Sequence, residues 1–145
     1  MFKSILLPTD GSQLSERAAQ TAIEFAKIHG ARITVVSVMQ PIPFVPMADA
    51  AVLTDPGLFD REMRRSLEAG LDKVVAAATA AGVPCEAVLG EANSPYEEIV
   101  RTAEEHHCDI IIMASHGRKG LNKLFLGSET QKVLAHTHLP VMVLR

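Results

Sequence analysis

The residues best suited to chemistry lie near the end of the sequence, between positions 114 and 130. Glycines and cations are interleaved there, in the order Gly117, Arg118, Lys119, Gly120, Lys123 and Gly127. Glycine lets the backbone approach an anion closely, and the free amides of a helix N-terminus favour negative charge. This pattern is typical of a phosphate-binding loop, although the three cations could equally form an ordinary solvated surface.

A strand and a helix must hold this loop in place. The continuous apolar run that follows Asp109, rich in β-branched residues, predicts a strand at 109–113 that is covered on both faces, as in a parallel sheet. Ser128 is followed three residues later by Gln131, and this capping-box spacing predicts that Ser128 caps a helix. The Ser128 hydroxyl could serve as a cap, as a phosphate contact, or as both.

The rest of the sequence alternates strands and helices. Strands are predicted at 2–7, 33–39, 83–89, 109–113 and 140–144, and helices are predicted to follow Ser12, Asp55, Ser94 and Ser128. This alternation predicts right-handed βαβ units and an α/β fold, an open, doubly wound sheet of five parallel strands with four helices. The segment 41–57 holds four prolines, and we favour an irregular surface loop there over a lid.

Each helix has a predicted apolar face or cap. In the first helix the predicted buried side chains are Leu14, Ala18, Ala22 and Phe25, with Ile28 beside them. In the second they are Phe59, Met63, Leu67, Leu71, Val74 and Ala78. Ser94 is predicted to cap the third helix, with Glu97 reaching back to complete a capping box.

Composition restricts the class of protein. The 145 residues fit one domain, 1–145, and 48% apolar content is enough for a packed core. A net charge of −3 and a pI near 6.0 argue against a nucleic-acid binder, and no apolar run approaches the ~18 residues of a membrane span. Cys85 and Cys108 do not make a disulfide framework. We therefore expect a cytoplasmic protein without nucleic-acid or membrane partners.

Polar residues follow two of the predicted strands. Residues 9–12 (Thr-Asp-Gly-Ser) follow the first strand, and residues 115–117 (Ser-His-Gly) follow the fourth. Ligands on open α/β sheets bind beyond the carboxyl ends of the strands, where the winding reverses. If the winding reverses between these two strands, both turns meet over one crevice. Asp10 could stabilise only its own turn, but its position at such a crevice favours ligand contact.

These residues resemble the universal stress protein family. The family signature, Gly-x2-Gly-x9-Gly-Ser/Thr, is matched at Ala114, Gly117, Gly127 and Ser128, with alanine in place of the first glycine. The resemblance covers nearly the whole chain, including the opening segment 5–12 and the closing segment 139–143. It implies a Rossmann-like, adenine nucleotide α-hydrolase-like fold with strand order 3-2-1-4-5.

The resemblance also implies a binding site. In the ATP-binding branch of the family, an acid after strand one and a valine late in strand two contact the nucleoside, and these positions are Asp10 and Val38 here. The nucleotide-binding set implied for this chain is Pro8, Thr9, Asp10, Val38, Met113, Ala114, Ser115, His116, Gly117, Arg118, Gly127, Ser128, Glu129 and Thr130. The implied cofactor is ATP, with AMP or ADP as alternatives. Asp10 could help to hold a Mg or Mn ion through the phosphates.

Nothing in the sequence forms a recognisable catalytic constellation. Phosphoryl transfer would need a second metal-holding acid in a motif, and the Walker pattern is absent. The run from His106 to Asp109 lacks the spaced ligand pairs of a zinc site, so we interpret it as structural. We expect a nucleotide-binding regulatory protein of the stress response that acts on an unidentified protein partner. A slow, partner-dependent ATPase and a nucleotide-free, chaperone-like dimer are the alternatives.

The last predicted strand, 140–144, bears on assembly. It is short and apolar, and its position in the sequence predicts that it lies at an edge of the sheet. An unprotected apolar edge can pair with a second copy of the chain. The family resemblance likewise implies a homodimer through this strand, related by a two-fold axis.

Overall fold

A computed structural model describes residues 1–41, 56–117 and 126–145 of the chain. The strands are β1 (Ser4–Pro8), β2 (Arg32–Met39), β3 (Cys85–Glu91), β4 (Ile110–Ala114) and β5 (Val141–Leu144). The helices in these ranges are α1 (Gln13–His29), α2 (Pro56–Ala80), α3 (Pro95–Glu105) and α4 (Ser128–His136). The predicted alternation of strands and helices is confirmed, with strand ends shifted by one or two residues.

The five strands form one parallel sheet in the order β3-β2-β1-β4-β5, as predicted. The chain winds from β1 outward to β3, returns to the other side of β1, and continues through β4 to β5. The winding therefore reverses between β1 and β4. The pairing of these two strands joins Ile5 with Ile110 and Leu6 with Ile111, whereas β1 and β2 pair along five residues. The ladder at the reversal is thus shorter than the one between β1 and β2.

Each face of the sheet is covered by two helices. Alternate residues of a strand point to opposite faces, so Ile5 and Leu7 pack with α1 and α2, while Leu6 packs with α3 and α4. Burial on both faces explains why β1 and β4 read as continuous apolar runs. None of the four helices in the described ranges combines the length and the apolar character that a membrane span requires.

Some predicted details of the helices are wrong. Ile28 is 81% exposed, because six residues beyond Ala22 it lies about 240° around the helix from the buried face. Ser94 makes no side-chain capping bond at the start of α3. In contrast, the Ser12 side chain does accept a hydrogen bond from the Ser15 amide, and Gly30 ends α1 in a left-handed conformation.

Two predicted loops lie largely or wholly outside the described residues. Residues 42–55 account for most of the proline-rich segment 41–57. Residues 118–125 include Arg118, Lys119, Gly120 and Lys123, so the predictions for these four residues are not addressed by the structure.

Two glycines should respond to alanine substitution in opposite ways. Gly30 has φ of 60°, so Gly30→Ala should lower the free energy of unfolding by about 1 kcal/mol. Gly70 lies inside α2 with nothing within 4 Å of an added Cβ, so Gly70→Ala should raise it by roughly 0.5–1 kcal/mol. Urea denaturation of both variants measures the two effects. A shift of both in the same direction would contradict the backbone conformations described here.

Candidate functional site

An open cleft of about 630 Å³ lies over the C-terminal ends of β1, β2 and β4. This is the place where the winding of the sheet reverses. Among the predicted site residues that the structure describes, all except Ser115 line it, namely Pro8, Thr9, Asp10, Val38, Met113, Ala114, His116, Gly117, Gly127, Ser128, Glu129 and Thr130. Arg118 lies outside the described residues. The turns after β1 and β4 therefore do meet over one crevice.

The turn after β1 holds the Asp10 carboxylate at the cleft. The Thr9 amide donates to the Val36 carbonyl at 2.9 Å, which fastens the turn to β2. Asp10 Oδ1 accepts a hydrogen bond from the Ser12 amide at 2.9 Å, so this carboxylate does stabilise its own turn. Its Oδ2 lies against Gly117, where an added Cβ would be only 2.7 Å away. Asp10 and the loop after β4 are thus in direct contact.

The turn that leads into α4 is fastened to the end of β4. The Gly127 amide donates to the Ser115 carbonyl at 2.7 Å, and Thr130 Oγ1 donates to the Ala114 carbonyl at 3.1 Å. A Cβ on Gly127 would lie 3.0 Å from the Ser115 carbonyl oxygen, so any larger residue would crowd the backbone at this close approach. These bonds hold the N-terminus of α4, with its partial positive charge, at the edge of the cleft.

The capping box predicted at Ser128 is wrong. Gly127 is the N-cap residue, and Ser128 is the first residue of the helix and is exposed. Gln131 Nε2 donates to the Leu126 carbonyl at 2.7 Å. The helix begins after Gly127 because the Gly127 amide is bonded to the end of β4. Ser128 consequently lines the cleft instead of capping the helix.

Glu129 has a structural role that the sequence did not reveal. Its Oε2 accepts a hydrogen bond from the Tyr96 amide at 2.9 Å, and its Oε1 accepts one from Lys132 Nζ at 3.1 Å. Tyr96 is the second residue of α3, the helix that Ser94 fails to cap through its side chain. A carboxylate from α4 therefore caps α3. Local spacing could not show this contact, because the two residues are 33 positions apart.

Ser115 does not line the cleft. It is 1% exposed, and its Oγ lies 2.8 Å from Nδ1 of His116. It borders a second cavity of about 350 Å³ together with Gln13, Leu14, Arg17, His116 and Arg145. His116 borders both cavities, and its Nε2 is buried without a hydrogen-bond partner among the described residues. The loop after β4 thus separates the two cavities.

An apolar wall of the cleft comes from α2. Phe59, Met63 and Leu67 line the cleft with Val38 and Met113. The sequence pattern predicted these three α2 residues as part of a core stripe, but Phe59 is 50% exposed and the other two are only partly buried. The stripe is longer than its buried part, because only its later members, Leu71, Val74 and Ala78, are buried.

His106, just after the end of α3, takes part in structural contacts. His106 Nδ1 lies 2.7 Å from Glu86 Oε1, and this hydrogen bond, with a second from Thr34, lowers the pKa of the Glu86 carboxyl. Burial raises the pKa of the Cys108 thiol. No group of three potential metal ligands comes together in the ranges that the structure describes. The contacts of His106 fit the structural interpretation of this run.

The comparisons with known proteins agree on one family. The sequence profile of the universal stress protein family matches residues 1–145. A universal stress protein of Thermus aquaticus, from the 3′ region of the QAH/OAS sulfhydrylase gene, is 40% identical over the whole of both chains. The structure of MJ0577 of Methanocaldococcus jannaschii superposes with a TM-score of 0.85 at 26% identity, over 99% of this chain and 96% of that one.

Two structures of more distant proteins share the fold. A universal stress protein in complex with cAMP has a TM-score of 0.72 at 21% identity, over 99% of this chain and 97% of that one. A universal stress protein of Archaeoglobus fulgidus in complex with dAMP has a TM-score of 0.70 at 20% identity, over 100% and 98% of the two chains. At these identities the likeness concerns the fold.

The start of α4 can be tested with two substitutions. Gly127→Ala should lower the free energy of unfolding by about 1–2 kcal/mol, because the added methyl meets the backbone of Ser115 and alanine is a poor N-cap. Ser128→Ala should change it by less than about 0.5 kcal/mol, because Ser128 is an exposed residue inside the helix. Chemical denaturation gives both values. A loss of about 1 kcal/mol in Ser128→Ala would restore Ser128 as the cap.

Proposed function

This chain belongs to the universal stress protein family, and we propose that it is a regulatory member that binds an adenine nucleotide in the cleft. The observation that carries the proposal is the meeting of Asp10, Gly117 and the 127–130 turn over one crevice at the sheet reversal. A nucleotide needs an apolar surface for its base, acceptors for its ribose and backbone amides for its phosphates. This cleft offers all three.

The order of the strands gives the ligand a direction. The apolar lining residues Val38, Phe59 and Met63 lie on the β2 side of the cleft, and the turn 127–130 lies on the β4 side. Asp10, at the end of β1, stands between them. We place the base against the apolar wall, the ribose hydroxyls at Asp10, and the phosphate at the N-terminus of α4.

The relatives support an adenine ligand. Two proteins of this fold have been solved with cAMP and with dAMP, both of which carry one phosphate on an adenine nucleoside. ATP, the ligand implied by the sequence signature, and AMP are therefore both candidates for this chain. If the ligand is ATP, Asp10 is the residue we propose to help hold a Mg or Mn ion through the phosphates. Ala114 lines the cleft, and its methyl group limits how closely a nucleotide can approach the β4 backbone.

The proposed activity is binding and not efficient turnover. The acidic residues that line the cleft in the described ranges are Asp10, Glu62 and Glu129, and Glu129 is already engaged by Tyr96 and Lys132. Nucleotide occupancy would then act through conformation or through contacts with a protein partner. Slow hydrolysis and a nucleotide-free protein are the two outcomes that the binding experiment separates from this proposal.

Purified, untreated protein should carry nucleotide or bind it on addition. Denaturation followed by chromatography with mass detection should release close to one adenine nucleotide per chain, and the ratio of ATP to ADP reports hydrolysis. Protein that is isolated empty should still gain melting temperature with millimolar ATP and magnesium or with AMP. An empty protein whose melting temperature neither nucleotide shifts would refute nucleotide binding.

A matched pair of variants assigns that binding to the cleft. Gly117→Ala places a methyl against the Asp10 carboxylate and should weaken nucleotide binding at least tenfold, by roughly 1.4 kcal/mol. The control is Gly70→Ala, because a Cβ added at position 70 has no atom within 4 Å. This variant should bind the nucleotide with the affinity of the natural chain. Calorimetric titration measures both. Equal affinities in the two variants would place the ligand elsewhere.

We also propose that the chain forms a homodimer through β5. This strand lies at the edge of the sheet, and its four residues are all partly exposed. The Pro140 carbonyl accepts a hydrogen bond from the Ile111 amide of β4, and the Leu144 carbonyl accepts one from the Ser115 amide just after β4. Because backbone groups alternate in direction along a strand, those of Val141 and Val143 point away from the sheet, where a second copy could pair with them.

This pairing predicts a position-specific effect of proline. Val143→Pro removes an outward-facing amide, so it should abolish the dimer while the monomer stays folded. Met142→Pro removes an amide directed at β4 and should instead destabilise the fold. Light scattering gives the mass, and circular dichroism reports folding. A natural chain that is monomeric at tens of micromolar, or a dimer that survives Val143→Pro, would refute the interface.

A further inference from the structure

We propose that Glu129 is a specificity-determining residue of the cleft, which sets how binding responds to the number of phosphates on the ligand. Its carboxylate weakens the binding of ATP more than that of AMP, and leaves adenosine unaffected. This inference rests on the proposed nucleotide site. It changes the role of Glu129 from a ligand contact to a fixed charge that discriminates among adenine ligands.

The position of Glu129 places its charge at the phosphate end of the cleft. It is the second residue of α4 and lines the cleft beside Gly127 and Ser128. The first turn of a helix carries about half a positive charge, which attracts anions. A carboxylate in that turn interacts favourably with the same charge and offsets part of it. An incoming phosphate therefore meets a weaker positive potential and a like charge nearby.

The carboxylate cannot easily move away from this position. Oε2 holds the Tyr96 amide at 2.9 Å, and Oε1 holds Lys132 Nζ at 3.1 Å. The side chain is 36% exposed. If the carboxylate turned toward solvent, the Tyr96 amide in the first turn of α3 would lose its hydrogen-bond acceptor. The loss of this cap disfavours the movement. The ligand thus binds against a charge whose place is set by the packing of α3 on α4.

The surrounding charges show why Glu129 is the residue to test. The other acidic residues that line the cleft in the described part are Asp10, which stabilises its own turn, and Glu62, which is exposed on α2. Lys132 offsets some of the Glu129 charge, but as an exposed partner of an i,i+3 pair it does so weakly. Substitution of Glu129 or Lys132 therefore changes the charge at the phosphate end without altering the base end.

The experiment compares ligands that differ only in phosphate count. The affinities of adenosine, AMP and ATP are measured by calorimetry on the full chain, without divalent cations and at low salt. Glu129→Gln keeps an oxygen that can accept from the Tyr96 amide but removes the charge. This substitution should raise the affinity for ATP roughly tenfold and the affinity for AMP roughly threefold, because the repulsion grows with ligand charge. The affinity for adenosine should stay unchanged. Raising the salt concentration should reduce these gains.

Two further variants control for other causes. Lys132→Met leaves the Glu129 carboxylate without its cation. This variant should therefore lower the affinity for ATP relative to that for adenosine, whereas Glu129→Gln should raise it. Glu24→Gln removes one negative charge from an exposed position on α1, away from the cleft, and should leave all three affinities unchanged. The melting temperature of each ligand-free variant verifies that the fold is retained.

The outcomes separate this inference from the proposed function. If Glu129→Gln lowers the affinities for all three ligands by the same factor, Glu129 only positions the turn, and the inference is wrong. Unchanged affinities would also overturn it, while leaving nucleotide binding intact. If the natural chain binds none of the three ligands, nucleotide binding itself fails and the inference fails with it.

Discussion

The functional architecture depends on the position of β1 at the centre of a sheet whose winding reverses beside it. Ile5, Leu6 and Leu7 are fully buried, so β1 is held on both faces and by both neighbouring strands. Its pairing with β4 includes only Ile5 and Leu6, and the polar turns after the two strands then face one another across the cleft.

The contacts that build the cleft are also contacts that hold the helices together. Thr130 joins α4 to the end of β4, and Glu129 joins α4 to the first turn of α3. The N-terminus of α4 is therefore fixed before any ligand arrives, and a phosphate bound there would not have to order the turn. The same arrangement places a negative charge in the turn, so at the proposed phosphate site the stability of the helix pair and the attraction for anions would oppose each other at Glu129.

Sequence reasoning succeeded where a signal is local or repeated along the chain. Alternating elements and two-sided burial of β1 and β4 gave the parallel sheet, and the signature from Ala114 to Ser128 indicated the family. Interactions between distant residues gave no such signal. The cap of α3 comes from Glu129, 33 residues away, and the burial of Ser115 depends on packing that its neighbours in sequence do not reveal. The sequence pattern places the partly exposed Phe59 and Met63 in the core, because periodicity identifies an apolar face but not what covers it.

The walls of the cleft suggest how binding without chemistry could be useful. The apolar wall belongs to α2, which packs on one face of the sheet, whereas the turn 127–130 belongs to the helix pair on the other face. A ligand that touches both walls would connect two layers that lie on opposite faces of the sheet. Its binding energy would then stabilise one arrangement of the layers over others, in proportion to its difference in affinity for them. A regulatory protein requires such a coupling, and a nucleotide that spans base and phosphate subsites is long enough to provide it.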